Sequence, residues 1–117
     1  MKLLIFILKK TDKLDPVLTE FANRDICGAT VLDGVGMATL LYNNHSEDEI
    51  PFLGMLRSLA TPEREKCKVI LAAINDDQLD DAVKAIEDVV GDLSNENTGV
   101  VFSLPLDFAK GLCSIGK

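Results

Sequence analysis

The chain opens with an unbroken apolar run, Leu3, Leu4, Ile5, Phe6, Ile7 and Leu8, closed by Lys9 and Lys10. A short run with no polar alternation suits a strand covered on both faces. Leu14, Val17, Leu18 and Phe21 then recur at helical spacing behind the capping residues Thr11 and Asp12, with Pro16 early enough to sit in the first turn. This predicts a first helix ending near Arg24. Gly28 to Asp33 reads as a second strand, and Gly34, Val35 and Gly36 after it permit a bulge or a close backbone approach. A continuation of that strand through Met37 to Tyr42 fits the same pattern.

The grammar then repeats. Val69 to Ala73 forms another apolar run, Asn75 and Gln78 resemble a capping box, and Leu79, Ala82, Val83, Ile86, Val89 and Val90 trace one helical face closed by Gly91. Gly99 to Leu104 gives a fourth strand, stopped by Pro105. Two strand–helix–strand units in sequence predict an α+β, ferredoxin-like βαββαβ domain spanning residues 1–117, with two helices on one face of a four-stranded antiparallel sheet. Because the first and third strands are apolar on both faces, the side without helices needs another partner, and self-association is the simplest one.

Between the halves lies a connection over about residues 40–67, longer than a compact fold needs, and such segments more often serve function than architecture. Tyr42, His45 and Glu47 to Glu49 make a polar, acidic tip. Phe52, Met55, Leu56 and Leu59 follow at helical spacing before Pro62, which predicts a short amphipathic helix. Tyr42, His45, Phe52, Met55 and Leu56 are accordingly the candidate partner-contacting residues.

Composition narrows the function. The 117 residues carry 12 Lys and Arg against 19 Asp and Glu, a net charge of -7, which argues against a nucleic-acid partner held by clustered cations. No apolar run is long enough to span a bilayer or to act as an export signal, so a cytoplasmic location is expected. The 3 cysteines, Cys27, Cys67 and Cys113, match no paired-ligand spacing and read as free thiols that act as ordinary small hydrophobes. His45 beside its acidic neighbours reads as a solvated turn, and no metal site is expected. With one histidine and no nucleophile elbow or phosphate-binding glycine fingerprint, the chain is not expected to be an enzyme or to carry a cofactor. Two glycine turns remain, Gly34-Val35-Gly36 and Asn97-Thr98-Gly99. The expected topology brings both to loops that would line one cleft between neighbouring copies.

Lys13 to Asp15, Gly28 to Val31 (GATV), the Gly34-Val35-Gly36 turn and Thr98 to Leu112 (TGVVFSLPLDFAKGL) together make the chain resemble the PII signalling family and its PII-like relatives. The resemblance implies a homotrimeric sensor that binds a small effector between subunits and regulates a target through its long loop. Membrane transport proteins are frequent targets of that family. It carries Thr30, Gly34, Val35, Gly36, Asn97, Thr98 and Gly99 over as effector-site candidates. Where the family's nucleotide-binding members have a glycine turn ending in a cation, this chain reads Asn97, Thr98, Gly99, Val100, so ATP or ADP binding of the usual kind is not expected. Two alternatives belong to other classes: a metal-binding trimer resembling CutA, and a structural interaction module.

Overall fold

A computed structural model describes residues 1–44, 66–95 and 98–112. Its strands are β1 (Lys2–Leu8), β2 (Ala29–Val35), β3 (Lys66–Ile74) and β4 (Gly99–Pro105), and its helices are α1 (Leu14–Asn23), α2 (Met37–Asn44) and α3 (Leu79–Val90). The strands form one antiparallel sheet in the order β2-β3-β1-β4. With α1 and α3 as its two main helices, this α+β arrangement is compatible with the ferredoxin-like fold expected from the repeat.

The core lies on one side of the sheet. Strand side chains alternate between faces, so Leu4, Phe6 and Leu8 of β1 and Ile70, Ala72 and Ile74 of β3 share a face and are all buried. Val17 and Phe21 of α1 and Ala82, Ala85, Ile86 and Val90 of α3 complete the same cluster. The helical spacing seen in the sequence is therefore the spacing of core contacts. Arg24, at the end of α1, joins the two helices: its guanidinium donates to the Asp81 carbonyl at 3.1 Å and to Asp88 Oδ2 at 2.8 Å.

Local signals account for the boundaries of α3. The Asn75 N–H donates to Gln78 Oε1 at 2.9 Å in a capping box on the 3-10 turn Asp76–Gln78 that leads into α3, and Asp80 and Asp81 occupy the first turn of α3, where the helix dipole favours negative charge. At the far end the Gly91 N–H donates to the Glu87 carbonyl at 3.0 Å, with Gly91 at φ 90°. A positive φ is open to glycine at little cost.

Three expectations are corrected. β2 does not continue to Tyr42, because the Leu40 N–H donates to the Gly36 carbonyl at 3.1 Å and the chain turns into α2. Met, Ala and Leu are good helix formers, and Thr39 is buried within this turn. The first residues of the expected 40–67 loop are thus helical. Nor is there a bulge at Gly34: β2 stays in register with β3 from Ala29↔Ala72 to Val35↔Lys66. Finally, Cys27 is disulfide-bonded, whereas Cys67 carries a free thiol. Spacing along the chain does not report which cysteines meet in space. Among the described residues, no helix is long and apolar enough to cross a membrane.

Candidate functional site

The strand register puts a second apolar surface opposite the core. Leu3, Ile5 and Ile7 of β1 pair with Ala73, Leu71 and Val69 of β3 on one side and with Leu104, Phe102 and Val100 of β4 on the other. On β2, Leu32 pairs with Val69, and Thr30 with Leu71. All of these side chains point away from α1 and α3. The central ones are half-buried by their neighbours, while Leu32, Val100, Phe102 and Leu104 at the two edges are 40–51% exposed. An apolar surface that crosses all four strands is larger than a monomeric soluble protein ordinarily leaves in water.

The candidate effector residues flank this surface at one end. β1 and β2 finish there and β3 and β4 begin there, as the pairings of Leu8 with Lys68 and Gly99, and of Gly34 with Cys67, require. Gly34, Val35 and Gly36 thus lie at the same end of the sheet as Thr98 and Gly99. They are at opposite edges, however, separated by about 14 Å, or three interstrand spacings. Within one chain they do not form a common cleft. Thr30 lies further along β2 and is exposed on the open face, and Val35 is 46% exposed. Thr98 is buried, and its carbonyl accepts the Lys9 N–H at 3.4 Å. Asn97 lies outside the described residues.

The glycines at these positions do different jobs. A Cβ on Gly99 would come within 2.6 Å of the Ile7 carbonyl oxygen and 2.7 Å of the Phe6 ring, and its φ is +152°. Glycine is required there to let β4 start against β1. A Cβ on Gly34 would meet Cys67 Sγ at 2.9 Å, so glycine leaves room for that thiol on the open face. Around Gly36 a Cβ would meet nothing within 4 Å.

Cations gather at this end even though the chain is acidic overall. Lys9 and Lys10 follow β1, and Lys66 and Lys68 open β3. Lys10 Nζ donates to the Val90 carbonyl at 3.2 Å and Lys68 is paired with Asp33, which leaves Lys9 and Lys66 as exposed charges. The hydrogen bond and charge of Lys68 hold the Asp33 carboxyl below its ordinary pKa, with a smaller contribution from Lys66. Sequence reading did not single out these lysines, because only the strand register brings them together.

Of the candidate partner-contacting residues, Tyr42 belongs to α2, whose Met37 and Leu40 are exposed. His45, Phe52, Met55 and Leu56, with the helix expected around them, lie outside the described residues. Among the described residues no group of His, Cys, Asp and Glu is arranged to hold a metal ion. Comparison with protein-family models found no match, and neither did a search of curated proteins.

Sequence reading missed a second surface as well. A groove of about 490 Å³ runs between the outer side of α3 and the free edge of β4, lined by Leu79, Val83 and Val101 and by the β4 edge at Phe102 and Ser103. Its signal was present in Val83, which belongs to the apolar stripe of α3 but is only half-buried.

Proposed function

We propose that the protein is a PII-like regulator that works as a homotrimer. Its copies associate through the open sheet face, and a small effector binds where the end of β2 in one copy approaches the start of β4 in the next. The segment after α2 then carries the ligand state to a target, for which a membrane transport protein is the kind the resemblance suggests. One observation carries this reading: the open face is apolar across all four strands, while the two candidate glycine segments sit at one end of it on opposite edges. Association of copies buries the apolar surface and supplies the only means of bringing those edges together. The exposed Lys9 and Lys66 at that end favour an effector with negative charge.

Sedimentation at micromolar concentration tests the assembly. The wild type is expected at three times the chain mass, and Leu32→Glu and Leu104→Glu, each placing a charge on an exposed edge of the open face, are expected to remain folded as single chains. Thermal-shift measurements with adenine nucleotides, cyclic dinucleotides and bicarbonate then test the sensor role. A rise in Tm with one of these ligands should occur in the wild type and vanish in the dissociated variants. A wild-type chain that sediments alone would remove the cleft and the reading with it.

A further inference from the structure

We infer that the tail following β4 docks on a second copy of the chain, in the groove between α3 and the free edge of β4. The inference rests on the assembly proposed above and adds a contact to it.

The tail leaves the sheet with the Leu106 N–H donating to the Met1 carbonyl at 3.0 Å, after which Asp107 to Leu112 are all exposed. Phe108 is 78% exposed, the most exposed of the large apolar side chains described, and Leu112 is 41% exposed. An aromatic side chain held in water gains by moving onto an apolar surface, and aromatic rings are the usual anchors of protein interfaces.

The groove offers the complementary surface. Leu79, Val83 and Val101 give it an apolar lining, with the β4 edge at Phe102 and Ser103 on one side. Its rim is acidic, with Asp80, Glu87 and Asp88 against Lys84, while the tail carries Lys110 between its two apolar residues. Asp88 is already held by Arg24 and Glu87 Oε2 accepts the Leu93 N–H at 3.0 Å, so Asp80 is the rim carboxylate placed to meet an incoming cation. β4 is also an edge strand whose outer backbone groups can pair with an extended segment. Among the described residues the chain's own tail does not line its groove, and the occupant is the tail of a neighbouring copy. Once copies are joined through the sheet, that tail is present at high effective concentration and needs little intrinsic affinity.

Amide hydrogen exchange over residues 106–112, combined with sedimentation of the same samples, decides the matter for the wild type, Phe108→Ala and Val83→Glu. The expected result is exchange at least tenfold slower in the assembled wild type than in either variant, with the slow exchange lost when the wild type is diluted until it dissociates. Equal exchange in all three proteins, with the assembly intact, overturns the docking and leaves the proposed function standing. A wild type that never assembles overturns both. Slow exchange that survives in the dissociated chain places the tail on its own copy and also overturns the inference.

Discussion

Phe6 and Phe102 lie on adjacent strands of one sheet, yet Phe6 is fully buried and Phe102 is 51% exposed. The same contrast runs along β1, where Leu4, Phe6 and Leu8 are buried beneath the helices and Leu3, Ile5 and Ile7, one position out of step, face the open side. Side-chain chemistry does not distinguish the two faces; the supply of covering elements does. Two helices cover one face of four strands, and the described chain brings nothing over the other. A strand that is apolar on both sides therefore specifies two interfaces, of which this fold completes one within the chain.

The contrast can be broken most forcefully at the phenylalanines themselves. Phe6→Ala should cost about 3–5 kcal/mol, because it removes a ring from a closed core and leaves a cavity. Phe102→Ala, measured in dilution where the chain is single, should cost less, about 1 kcal/mol, because half of the side chain is already in water. Urea unfolding of both variants checks this; equal losses would mean that the open face is covered within the chain after all.

A smaller effect is expected at the seam between the faces. Gly99→Ala should destabilise by about 1–3 kcal/mol, since the new Cβ meets the Ile7 carbonyl and the Phe6 ring in a backbone conformation that favours glycine. Gly36→Ala, where a Cβ meets nothing, serves as the control. A pair of thermal melts separates the two positions.

The smallest effect concerns pH. Asp33 is held below its ordinary pKa by Lys68, so its pairing stabilises the fold above the ordinary carboxylate value and the contribution disappears as pH falls through the lowered one. Asp33 is largely exposed and Lys68 only partly buried, so the effect is slight. Asp33→Asn should make the acid limb of a stability-against-pH curve less steep, without altering the curve in alkaline solution.

Much of the architecture was legible in the residues. The stripes of α1 and α3 came from their apolar spacing, the start of α3 from Asn75 and Gln78, its end from Gly91, and the two strand–helix–strand units from the repeated pattern. The end of β2 was not legible, because Met37 to Tyr42 suits a strand or a helix equally well until the Leu40-to-Gly36 hydrogen bond is in place. The candidate site was legible only in part. Gly34 and Gly99 stood out as glycines beside strands, but their different tasks depend on Cys67 in one case and on Ile7 and Phe6 in the other, residues remote in sequence. The lysine cluster was invisible for the same reason.

By itself the sequence determined that this chain makes a small α+β domain with more apolar strand surface than two helices can cover, since the period of its hydrophobic residues sets how many faces each element must bury. Tertiary structure alone decided which face the helices took, that the two glycine segments end on opposite edges, and that Phe108 stands exposed after β4. Those outcomes depend on strand order and register, and register is fixed by contacts between segments far apart in the chain, which no local pattern encodes.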